Sequence, residues 1–182
     1  KRQQTAKEWM QNYEVLYERI NTIGLFWQVF NNIPNWIDLH VSPAELRPDF
    51  TLMIGQTFAW FPISKNPTSA PDEQIAWVGV VPDPASIVDS GHGKAIAVRQ
   101  TLSSTEFALL HYSSSSVSDS LKRKEELAMV NFLRSYFQLD YSLHELYNSW
   151  ADGCPRMKTV LSCLPGVRVV QQDPYECLIS FI

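Results

Sequence analysis

The chain has 182 residues, a length that suits one domain or a domain and a half. Apolar residues make up 45%, enough to bury a core, and six Trp with eleven Pro against seven Gly argue against low complexity and disorder. The 15 Lys and Arg against 19 Asp and Glu give a net charge of -4, which excludes a simple basic nucleic-acid coat but not a local basic patch.

In chain order, residues 5–20 read as a helix. Trp9, Tyr13, Leu16, Tyr17 and Ile20 recur at helical spacing, with Glu8, Gln11, Glu14 and Arg19 between them. A helix packed on the domain is preferred over a partner-binding one. Glu8, Glu14 and Glu18 argue against a mitochondrial presequence in the stretch shown. Pro34, Pro43 and Pro48 break the chain into an irregular entry segment.

From Phe50 the character changes to strand. Phe50-Thr51-Leu52-Met53 is short and β-prone, and Gly55 punctuates it. Thr57 to Phe61 alternates, with Phe58 and Trp60 on one face. Ile75 to Val81 is a further strand, ended by Pro82 and Pro84. Ala95 to Thr101 and Glu106 to Tyr112 form a pair joined by residues 102–105. No long helical crossover separates these strands, so the sheet is expected to be antiparallel. Gly91-His92-Gly93-Lys94 lacks the earlier Gly and the following Ser or Thr of a phosphate loop and reads as a tight turn. Ser113 to Ser116 reads as a flexible connection.

Helices follow. Leu127, Val130, Leu133 and Phe137 share a face behind the solvated, charged start Lys122 to Glu126. Ser142-Leu143-His144-Glu145 is a capping box that opens a second helix, with Leu143, Leu146, Tyr147 and Trp150 apolar. That helix carries His144-Glu145, yet Asn148 stands where a zinc-protease helix has its second imidazole, so the metal reading is set aside. Pro155 starts a third helix, with Met157, Val160, Leu161 and Leu164, stopped by Pro165-Gly166. Asp173 as N-cap, Pro174 at the first helical position and Glu176 open a fourth. Nothing in the sequence closes it, and the expectation is that the chain is cut inside a buried helix, as Lys1 in place of Met also suggests for the start.

Cys154, Cys163 and Cys177 are an odd count without metal spacing, which fits a reducing compartment, with nucleus or cytoplasm as the default. No apolar run reaches the roughly 18 residues of a membrane span, and no partnership with a membrane is expected. Composition and spacing alone carry no catalytic group and stop at an α+β architecture: an antiparallel sheet, then helices.

One set of segments resembles a known family. It comprises Leu46-Arg47, Gly55-Gln56-Thr57-Phe58-Ala59-Trp60, Trp77-Val78-Gly79-Val80, Tyr136-Phe137-Gln138-Leu139-Asp140, Leu146-Tyr147 with Trp150, Gly166-Val167-Arg168 and the run from Gln172 to Ile182. Their order and separations are similar to those of the eukaryotic 8-oxoguanine DNA glycosylases from about residue 43 to residue 182. Thr57 stands for the family's Ser and keeps its hydroxyl; Ala59 stands for its Arg, so no contact of that cation is carried over.

The resemblance implies a fold: a twisted antiparallel sheet with helices, similar to half of the TATA-binding protein, leading into a helical domain with a helix-hairpin-helix. Residues 1–42 would be an N-terminal extension, 43–150 the sheet domain and 151–182 the beginning of the helical one. It also implies a repair glycosylase and DNA lyase, nuclear or mitochondrial, working as a monomer on damaged double-stranded DNA without cofactor or metal. The family flips the base out of the stack, because a stacked base is unreachable. A Lys amine then attacks the sugar and holds it as an imine, and an Asp stabilises the developing sugar cation. Lys and Asp are implied to lie beyond Ile182, so the 182 residues alone are expected to be inactive. One substrate-binding residue carries over: Gly55, whose carbonyl would accept the N7 hydrogen of 8-oxoguanine and repel the bare N7 of guanine. An ordinary hairpin glycine is the plainer reading of Gly55. Gln56 is read as structural, and Phe58 and Trp60 as core. Two further functions stay open at this stage: a non-catalytic DNA-binding or scaffolding module with the same sheet, and a protein-interaction domain using the aromatic N-terminal helix.

Overall fold

The computed structural model describes residues 35–53, 55–57, 60–63, 76–84, 93–110 and 118–180. The expected helix over 5–20, Phe58 and Ala59, Gly91 and His92, and the serine tract lie outside these residues.

Five strands form one antiparallel sheet: β1 (Ile37–Asp38), β2 (Trp60–Ile63), β3 (Ala76–Pro82), β4 (Gly93–Gln100) and β5 (Thr105–Leu109). Their spatial order is β1-β5-β4-β3-β2, so β2 to β5 run as a meander and β1 closes the far edge. The register sets Trp60 opposite Gly79, Trp77 opposite Val98 and Val98 opposite Phe107. The β4–β5 turn is fastened by its own side chains. Thr101 Oγ1 accepts from Ser104 N at 2.9 Å, and Gln100 Nε2 donates to Ser104 O at 2.9 Å. Ser104 Oγ also donates to Asp38, which with the His40 N–H holds the Asp38 carboxyl below its usual range.

Helices cover one face of the sheet and then leave it. α1 spans Pro48–Met53, α2 Asp119–Tyr136, α3 Leu143–Gly153, α4 Pro155–Cys163 and α5 Pro174–Ser180. The fold is thus a mixed α+β arrangement of an antiparallel sheet followed by helices. The core gathers Leu39, Leu46, Leu52, Trp60, Trp77, Ile96, Val98, Phe107, Met129, Leu133 and Phe137. At roughly 25 cal/mol per Å² of apolar surface, a cluster of this size supplies the main drive for folding. Lys94 on β4 ties the sheet to α2 through Glu125, with Asp83 at 3.6 Å, and this partnership raises the Lys94 pKa.

Three expectations are corrected. Gly93 and Lys94 are not in a turn but open β4, opposite Pro82 and Val81. Phe50 to Met53 is helical, not a strand: Pro48 pre-sets the first turn, Asp49 lies at its positive end, and Thr51 N donates to Arg47 O at 2.8 Å. Leu127 is exposed at 62%, and Met129 takes the core position beside Leu133 and Phe137. The stripe 129, 133, 137 follows the i, i+4 spacing, and Leu127 lies some 120° round the helix from Leu133. Helices form where the second, third and fourth were predicted, and Tyr175 and Leu178 of the last are exposed. Ser142 caps α3, its Oγ accepting from Glu145 N at 3.3 Å. Asp173 caps α5, where Tyr175 N donates to Asp173 Oδ1 at 2.8 Å. No helix among the described residues is long and apolar enough to cross a membrane.

Candidate functional site

Gly55 follows α1 on an exposed turn with φ +81°, a left-handed conformation that other L-residues adopt at a cost. A Cβ built there would meet nothing within 4 Å. Crowding by this protein therefore does not require the glycine; its backbone angle does. Among the described residues, nothing crowds that side of Gly55.

The next residue anchors the turn. Gln56 Nε2 donates to Thr51 O and to Arg168 O, both at 2.7 Å, and Gln56 Oε1 accepts from Val170 N at 3.0 Å. Gln172 Nε2 donates to the Gln56 carbonyl. In an extended chain, residues two apart present their main-chain groups along the same edge. The side-chain amide of Gln56 uses that property, standing where a neighbouring strand would pair with residues 168–170.

The opposite edge of the same segment is held by the end of α2. Gln171 N donates to Tyr136 O at 2.7 Å, and Gln138 Nε2 donates to Val169 O at 2.8 Å. Gln138 itself has φ +53°, the left-handed residue just past the helix. Tyr136 also reaches back to the turn: Trp60 Nε1 donates to its hydroxyl at 3.0 Å, and that hydroxyl donates to Thr57 Oγ1 at 3.4 Å. The hydroxyl kept by Thr57 is thus in use. Beside this junction lies a cavity of 290 Å³ lined by Phe132, Ser135, Tyr136, Gln171, Gln172 and Asp173.

Arg168 forms the buried hinge pin. Its side chain is only 4% exposed. The guanidinium donates to Glu45 O, to Gln138 O at 2.7 Å, to Tyr141 O at 3.0 Å and to Glu45 Oε2 at 2.6 Å. Burial lowers its pKa, and the Glu45 carboxylate opposes that shift. Glu45 also accepts from Leu143 N at 2.7 Å and His144 N at 3.2 Å, so one carboxylate caps α3 and neutralises Arg168. Gly166 completes the join at φ +75°. Its Cβ would sit 2.5 Å from Pro43 O, and its carbonyl accepts from Arg47 N at 2.8 Å.

The structure therefore brings Gly55 and Gln56 beside Arg168 to Gln172, two motif segments far apart in sequence. Sequence reasoning missed Glu45 and Thr51 as partners; Arg168 had a signal only as part of Gly166-Val167-Arg168. His144 is exposed, with its Nε2 3.1 Å from Asn148 Nδ2. Among the described residues, no group of three or more His, Cys, Asp or Glu is placed to hold a metal ion.

Comparison with known proteins adds the following. Residues 38–178 match the family described as 8-oxoguanine DNA glycosylase, N-terminal domain. A curated relative from Arabidopsis thaliana, "N-glycosylase/DNA lyase OGG1", is 29% identical over 150 residues, which is 82% of this chain and 33% of the relative. The chain spans about a third of that relative's length.

Proposed function

The chain belongs to the 8-oxoguanine DNA glycosylase N-terminal-domain family, and from that premise we propose that it is the sheet-bearing part of an N-glycosylase and DNA lyase that excises 8-oxoguanine from double-stranded DNA in base excision repair. The observation that carries the reading is the family match over 38–178, which includes the exposed turn at Gly55. In this reading the sheet is similar to half of the TATA-binding protein, and residues 151–182 begin a helical domain. The damaged base is flipped from the stack into a pocket, because its reacting atoms are unreachable in the duplex. The Lys nucleophile lies outside the 182 residues.

Gly55 supplies the recognition. Its carbonyl accepts the hydrogen on N7 of 8-oxoguanine, whereas guanine presents a lone pair there and is repelled. An unmet polar contact in a desolvated pocket costs about 1–3 kcal/mol, enough for discrimination of one to two orders of magnitude from this contact alone. The protein acts as a monomer, without cofactor, in the nucleus.

The test is an excision assay. The full-length protein is expected to release 8-oxoguanine from a duplex and to form a borohydride-trappable imine with it, while residues 1–182 alone release none. Failure of the full-length protein to cut, or cutting by residues 1–182 alone, would overturn the proposal in its first or second part respectively.

A further inference from the structure

Gly55 cannot aim its own carbonyl. A glycine at positive φ has wide freedom in ψ, so the direction of the peptide joining Gly55 to Gln56 is set by whatever holds the residue after it. That residue is held at both ends. The Gln56 amide spends two donors on Thr51 O and Arg168 O and accepts from Val170 N, while the Gln56 carbonyl accepts from Gln172. All of these partners except Thr51 lie in residues 168–172, a segment itself fixed by Gln138, Gln171 and the buried Arg168.

From this we infer that Gln56, steadied by Gln172, is the positioning residue for the base-reading carbonyl of Gly55. The inference rests on the proposed reading of Gly55. It adds that specificity is set by residues 168–172 acting through one side-chain amide, at a distance from the base. Gln56 touches no substrate in this account; it fixes the angle at which the Gly55 oxygen meets N7.

The experiment uses the full-length protein and measures kcat/KM for 8-oxoguanine and for guanine in the same duplex context. Gln56→Met keeps the length of the side chain and removes its three hydrogen bonds. The ratio of the two kcat/KM values is expected to fall about tenfold or more. A merely structural role would lower both rates together, through the folded fraction, and leave the ratio unmoved. Gln172→Met removes a single bond from a half-buried side chain and is the variant that decides if Gln56→Met does not fold; its ratio is expected to fall about threefold. Gly55→Ala separates the two claims. An unchanged ratio in folded Gly55→Ala sinks the reading of Gly55 itself. A lowered ratio there, with an unchanged ratio in Gln172→Met and in any folded Gln56→Met, overturns the positioning role alone.

Discussion

Arg168 and Glu45 stand 123 residues apart, and their pairing shows how a single buried cation can organise three segments. The guanidinium satisfies three main-chain carbonyls besides the carboxylate, at Glu45, Gln138 and Tyr141. Replacing one partner of such a pair strands the other charge and these carbonyls, at a cost of about 3–5 kcal/mol. Arg168→Met is accordingly expected to lower the chain's unfolding free energy by that amount in a urea titration; a loss under about 1 kcal/mol would show that water replaces the guanidinium. Gly55 was legible in the sequence as a turn glycine, which its φ of +81° bears out. The Glu45 role was not, because no local spacing marks a carboxylate whose partners come from residues 143, 144 and 168. Gly166 was legible as a helix stop, but its contact with the 43–47 turn is visible only in three dimensions.

At the level of elements, β3 to β5 were readable as short β-prone runs bounded by turn residues, whereas alternation placed a strand at Thr57 to Phe61 and the sheet pairs Trp60–Ile63. β3 and β4 lie within one or two residues of where the sequence placed them. The segment Phe50 to Met53 was misread for a physical reason: six residues are too few to show a helical period, and Phe and Thr favour strands only where a neighbouring strand is available. Here Pro48, Asp49 and the Arg47 carbonyl start a helical turn first. In α2 the periodicity was read correctly as helical: Leu133 and Phe137 are in the core and Val130 packs against it, and Leu127 alone of the expected face is exposed. The burial difference gives a direct check. Leu133→Ala is expected to cost about 2–5 kcal/mol by opening a cavity in the core, and Leu127→Ala to stay within about 0.5 kcal/mol. Equal costs in thermal or chemical unfolding would contradict the assigned face.

Across the described residues, the sheet and α2 share one apolar core, and polar fastenings add to it. Glu45 reaches α3, Lys94 reaches α2, and residues 166–172 lie between α1, the Gly55 turn and the end of α2. The helices farther on keep apolar side chains exposed, among them Trp150, Val160 and Leu164. The net charge of -4 takes a narrower meaning in this setting. It is a sum over 182 residues and leaves room for a local basic patch. The claim on which the account turns is that the Gly55 main chain distinguishes a base with a hydrogen on N7 from one without. The measurement that tests it most directly is the ratio of kcat/KM for 8-oxoguanine over guanine in the full-length protein, wild type against Gly55→Ala, with folding verified by circular dichroism. The account predicts that a side chain strained at φ +81° turns the peptide and lowers that ratio by at least tenfold. A folded variant with the wild-type ratio would contradict it.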